Sequence, residues 1–301
     1  MSTRDPKAHR RAIALMIVAA TLWSIAGVVT RHLEYAGRWE VTFWRSLFAA
    51  VFVLGSMLYA RGAAGAWDAL RAAGGYGILS GAMWAIMFVA FMLALMTTTT
   101  ANTLIVNSIA PLLTALLARA VLRDAIAPRT WAAIVLAIAG MLWMFGSGFA
   151  AGEPRHAAGM LIALAVPLAA AVNLVTLKHA GRTLDLIPAI LIGAVLSALV
   201  TLPFALPFTS SAHDLVLLAV LGFFQLGFPC MLMLRASKHL SAPEISLLAL
   251  LEVVLGPLWA WLGAGEAPAL ATLAGGAMVI AALLLNELAA LGVRVRARNQ
   301  T

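Results

Sequence analysis

The chain has 301 residues, of which 63% are hydrophobic and 11% charged, with a mean hydropathy of +0.99. Soluble domains carry about a quarter charged residues, so a water-soluble globule is excluded. The formal net charge of +8 sits mostly between apolar runs, where basic residues orient a membrane protein, and is not read as a nucleic-acid surface.

Apolar runs of roughly 20 residues recur along the chain, the length that carries a helix across a ~30 Å hydrocarbon core. Barrel strands would be shorter and would alternate polar with apolar residues, and lipid forces each backbone amide to find its partner within the segment. The expected fold is therefore an all-α polytopic membrane protein. Ten spans are expected in chain order, at 12–30, 42–60, 75–96, 101–119, 130–148, 157–177, 187–206, 214–235, 243–263 and 269–291. The first follows a basic N-terminus with Arg4, Lys7, Arg10 and Arg11, and ends in Thr30-Arg31-His32. It lacks a small-residue cleavage site and is read as an uncleaved span. The single cysteine, Cys230, lies inside an apolar run, which rules out a disulfide framework.

The stretch from Gly77 to Gly140 is echoed without a gap from Ala219 to Ala282. Each copy has an apolar run, a short polar break, a second run, an acid in a tight connection and a third run. The breaks are Thr97-Thr98-Thr99-Thr100 and Lys238-His239-Leu240-Ser241, and the acids are Asp124 and Glu266. Pro111 and Val253 occupy the same place in the two copies. Ten spans place sixteen of the twenty basic residues on the side of the N-terminus, leaving only Arg31, Arg38, Arg45 and Arg155 opposite. Both termini are thus expected in the cytoplasm. Because each repeat holds five spans, an odd number, the second must run upside down relative to the first. Asp124 lies among Arg119, Arg123 and Arg129, whereas Glu266 has no basic neighbour, as inversion requires. The expected halves are residues 1–150 and 151–301, with a substrate site near the midplane between them.

Several segments carry a family resemblance. Span 1 holds Thr21-Leu22-Trp23-Ser24 and ends in Arg31; span 2 opens with Phe43-Trp44-Arg45-Ser46; span 4 reads Ser108-Ile109-Ala110-Pro111-Leu112-Leu113-Thr114-Ala115. Span 9 contains Leu251-Glu252-Val253-Val254 and runs to Gly265-Glu266, with Gly275-Gly276 beyond. Over nearly its whole length the chain resembles the drug/metabolite transporter superfamily, in particular the ten-span EamA-type bacterial metabolite exporters. It departs from them at Val253, where proline is usual, and at Asp124, where glutamate is usual. The resemblance is greatest to the aromatic amino-acid exporters of bacterial inner membranes, and implies export of aromatic and other neutral amino acids by alternating access.

Glu252 is the deepest acid in the sequence and is read as a proton carrier or a partner for a substrate amine, with a structural hydrogen bond as the alternative. Trp84, Phe88 and Phe91 fall on one face of span 3, and Phe224, Phe228 and Met231 repeat that spacing in span 8. They are read as two walls of an aromatic cavity, with lipid-facing or packing stripes as the alternative; Trp23 would line the same cavity. Asn102, Asn107, Asn173 and Gln225 are read as amides that bind an amino acid, or else as links between helices. Pro111, Pro229 and Pro257 are candidate gating points, since proline removes a helix donor. Arg45 is read as snorkelling to lipid headgroups, with attraction of an anionic substrate as the alternative. His32, His179, His213 and His239 sit apart at span ends, so no metal site is expected, and without a glycine-rich phosphate loop no cofactor is expected either. Expected partners are amino acids and membrane lipid, with no nucleic acid and no obligatory protein partner. Two rival readings remain: a multidrug or quaternary-ammonium exporter, and a polytopic enzyme acting on lipid-linked substrates.

Overall fold

Helices account for nearly all of the backbone. The computed structural model describes residues 6–122, 127–150, 154–180, 185, 187–240 and 242–299; Asp124, with Arg4, Arg123, Arg182 and Ser241, lies outside them. The helices are α1 (Pro6–Ser24), α2 (Ala26–Thr30), α3 (Arg38–Ala72), α4 (Gly74–Leu95), α5 (Thr100–Asn107), α6 (Ala110–Leu122) and α7 (Pro128–Ala150). There follow α8 (Pro154–Ala180), α9 (Ile187–Ala205), α10 (Ala212–Val220), a π-helical segment (Leu221–Gly227), α11 (Phe228–Ala236), α12 (Ala242–Ala264) and α13 (Leu270–Asn299). Among the described residues nine helical stretches are long and apolar enough to cross a membrane, and a tenth, Leu270–Asn286, is apolar but shorter.

Ten spans result because three of them are broken internally. Span 1 joins α1 and α2 across Ile25, span 4 joins α5 and α6 across Ser108 and Ile109, and span 8 passes from α10 through the π segment into α11. Span 2 ends about where expected: the stretch Arg38–Ala72 is two helices that meet at a kink at Gly62, whose φ of 68° lies in the left-handed region. Glycine adopts that geometry without a Cβ penalty and so redirects the chain. Beyond it Trp67 is 55% exposed, and the Arg71 guanidinium lies 4.9 Å from its ring centre, a pairing suited to the headgroup zone.

The ends of the spans are tied together in two sets. On one face, Arg31 after span 1 donates to Glu266 between spans 9 and 10 (2.6 Å) and to the Thr98 carbonyl between spans 3 and 4 (3.0 Å). On the same face Asp214, at the start of span 8, accepts from the amides of Glu34, Tyr35 and Ala36 while closing a capping box with Ser211. Glu40 accepts from the amides and hydroxyls of Thr209 and Ser210. On the other face Arg61 pairs with Asp185, between spans 6 and 7, and His9 meets Glu244 and the His239 carbonyl. This alternation of connections between two faces is that of an even number of crossings.

The helix contacts carry the duplication. Exchanging span n for span n + 5 turns the packing of 3 on 6 into 8 on 1, of 3 on 7 into 8 on 2, and of 1 on 9 into 6 on 4. The pairs 2 with 7, 4 with 9 and 5 with 10 map onto themselves. With five spans in each half, the operation that relates the halves reverses direction across the bilayer. Equivalent threonines share a role: Thr130 donates to Asn286, and Thr272, offset by 142, donates to Asn102. Large side chains such as Val135, Leu142, Trp143, Phe204 and Leu285 point outward and are exposed, as expected where the surrounding solvent is hydrocarbon.

The pair of spans 5 and 10 crosses closely, because a Cβ at Gly140 would lie 2.6 Å from the Gly275 carbonyl oxygen. Gly140→Leu is therefore expected to cost about 1–3 kcal/mol by overpacking, read as a lowered melting temperature in detergent. Gly146→Leu, on the open side of the same helix, should leave melting unchanged; equal effects of the two would refute this crossing.

Candidate functional site

Between the halves lie two adjoining cavities of about 320 and 210 Å³. They share Trp23 of α1, Asn107 of α5, Ala170 of α8, Met233 of α11 and Glu252 of α12. Both repeats thus supply the walls. The smaller cavity is lined further by Arg45, Trp84, Phe88, Phe91, Gln225 and Cys230. The larger continues past Ser108, Pro111 and Thr114 to Leu174, Ile245 and Ala249, which lie toward the ends of their spans on the N-terminal side. The opposite face carries the Arg31–Glu266–Thr100 clasp, in which Glu266 also accepts from the Thr100 amide (2.5 Å) and hydroxyl (3.2 Å). The site is therefore sealed on that face and extends toward the N-terminal one.

The broken helix of span 4 places polar groups at this depth. Ser108 turns back to donate to the Ile105 carbonyl (2.7 Å), and Pro111 follows in the first turn of α6. Irregular backbone at membrane depth is tolerated where it lines a cavity, as here. Glu252 stands on α12, itself uninterrupted through Pro257, and among the described residues no side chain hydrogen-bonds its carboxylate. Both Glu252 and Arg45 line the smaller cavity, but among the described residues no ion pair joins the two.

Of the expected site residues, Trp23, Trp84, Phe88, Phe91, Asn107, Gln225, Glu252 and the hinge residue Pro111 come together. Trp84 and Phe88 pack with ring centres 5.5 Å apart. Others lie elsewhere. Asn102 donates to Thr98 (3.0 Å) and accepts from Thr272 (2.8 Å), fastening the top of span 4 to span 10. Asn173 is buried in α8 but borders neither cavity. Phe224 and Phe228 are 50% and 36% exposed and face outward. The physical reason is the π-helical segment. Its i→i+5 bonding advances each residue by a smaller angle than an α-helix does, so a stripe laid out by α-helical spacing rotates away. Gln225, Leu226 and Cys230 take the inward positions instead. Pro229 lies in the first turn of α11, just after this segment.

Arg45 is the residue whose placement differs most from expectation. It does not snorkel to the surface: it is 2% exposed, and its Nε and Nη2 both donate to Gln225 Oε1, at 2.9 and 2.8 Å. Gln225 Nε2 in turn donates to the Trp23 carbonyl (3.3 Å). The signal was present in the stripe Thr42, Arg45, Ser46, Ala49 and Val53, whose polar and small side chains share one helix face and are all buried. Met233, Ser108 and Thr114 are further lining residues that sequence patterning did not single out.

The profile of the EamA-like transporter family matches residues 10–146 and again 157–288. The chain therefore belongs to the EamA-like transporter family, within the drug/metabolite transporter superfamily, and is a multi-pass membrane protein of the transporter type. The two matches fall one on each five-span half. No curated protein matches the chain. A solved structure described only as "Crystal structure of protein" is similar in fold, with a TM-score of 0.65 and 20% identity over 94% of this chain and 98% of that one.

The clasp generates a direct test. Glu266→Gln keeps the shape but removes the charge that Arg31 and Thr100 share, so the sealed face should open on the order of ten times more often. In a Cys230→Ser background, a cysteine at Thr103, fully buried beneath the clasp, should then react correspondingly faster with an impermeant thiol reagent from that face. An unchanged rate would show that the seal lies elsewhere.

Proposed function

We propose that this protein exports amino acids, aromatic and other neutral ones, across a bacterial inner membrane, with both termini in the cytoplasm. Residues 1–150 and 151–301 form the inverted halves, and the substrate cavity faces alternately one side and the other. The observation that carries the reading is an aromatic-walled cavity between the halves, with the lone acid Glu252 at mid-depth. The rings of Trp23, Trp84, Phe88 and Phe91 suit a flat or apolar side chain, and Glu252 suits an ammonium group. The break before Pro111 and the π segment before Pro229 are the proposed bending points; Pro257, in a continuous helix, is a weaker one. Membrane lipid and the transported solute are the proposed partners.

A lipophilic cation would also suit Glu252 and the two tryptophans. The guanidinium of Arg45 on the same wall works against a ligand that carries only positive charge.

Purified protein in liposomes should give saturable flux of labelled phenylalanine and of at least one small neutral amino acid. Glu252→Gln should lower that flux about tenfold or more, the effect of losing a hydrogen bond to a charged group. Flux of tetraphenylphosphonium with none of any amino acid would overturn the substrate class.

A further inference from the structure

Arg45 has a guanidinium with donors to spare. Nε and Nη2 are both spent on one acceptor, the Gln225 carbonyl oxygen, while Nη1 is buried and has no hydrogen-bond partner among the described residues. The group is bedded against Phe88 and Phe91, its central carbon 6.0 and 5.8 Å from their ring centres, and it forms part of the cavity wall. A buried cation without a counter-charge is costly, and an orphaned donor on it adds to the cost. Glutamine is neutral, so the Gln225 bond fixes the orientation of the guanidinium without cancelling its charge. Glu252, the acid on the facing helix, does not pair with it.

We infer that Arg45 is an anion seat: it binds the carboxylate of the transported solute through Nη1, and Gln225 holds it in position to do so. This deepens the proposed function and rests on the same cavity. The seat fixes one end of the ligand and leaves Glu252 for the other, so an α-amino acid lies with its carboxylate at Arg45, its ammonium toward Glu252 and its side chain among the rings. Charge-assisted bonds to a planar guanidinium are among the strongest neutral-pH contacts with carboxylates, and a lysine would not reproduce the fork that Gln225 grips. The same arrangement makes the carboxylate, more than the side chain, the feature that every substrate must share, which fits a transporter of broad side-chain preference.

The test is a binding measurement that needs no transport. Calorimetric titration of the purified full-length protein compares 3-phenylpropionate with 3-phenylpropanamide, which has the same shape but no charge. The wild-type protein should bind the acid about tenfold or more tightly than the amide. Arg45→Gln, checked for folding by its melting curve, should bring the two to equality, and Gln225→Leu should weaken the acid more than the amide. Amide bound as tightly as acid by the wild type, binding of neither, or full discrimination retained by Arg45→Gln would each overturn the seat. Acid-selective binding that depends on Arg45, together with absent amino-acid flux in liposomes, would keep the seat and remove the export reading.

Discussion

A guanidinium inside a hydrocarbon-bounded fold must be partnered, and the arrangement around Arg45 is organised by that requirement. Arg45 lies seven residues below the start of α3, about 10 Å at the helical rise. Its bond to Gln225 ties span 2 to span 8, and the onward bond to the Trp23 carbonyl brings in span 1. Phe88 and Phe91 of span 3 close over it. Four spans are thereby held around one charge in the wall of the cavity.

Elsewhere the polar groups are spent on the membrane faces. Glu40 and Asp214 are buried acids satisfied by backbone amides of the neighbouring connection. Glu266 joins three connections through Arg31 and Thr100. The described N-terminal-side pairs, Arg61 with Asp185 and His9 with Glu244, lie at the periphery. One face is latched across the centre and the cavity extends toward the other, so the two faces of the molecule differ.

The architecture was legible in the sequence because it depends on long-range regularities. Run length sets the crossings and a 142-residue offset reports the duplication; local detail cannot erase either. The cavity wall was legible in span 3, where an unbroken α-helix keeps Trp84, Phe88 and Phe91 on one side. It was illegible in span 8, where a π-helical stretch changes the angular advance and turns Phe224 and Phe228 outward. Asn102 takes the second of its two readings, a link between helices, because a buried amide serves a threonine on another helix as readily as it serves a ligand. Arg45 was misread because snorkelling and inward pairing begin from the same position in a span, and only the glutamine 180 residues away decides between them.

The central claim is a water-accessible cavity between inverted halves, lined by Asn107 and Ala170 and reached from the N-terminal side. Single cysteines at these two positions and at Phe224, in a Cys230→Ser background, can be reacted with an impermeant thiosulfonate from each side of the membrane separately. Fast reaction is expected at 107 and 170 from the N-terminal side, slow reaction from the other, and none at 224. Reaction at 224 with 107 and 170 inert, or equal rates at 107 and 170 from both sides, would contradict it.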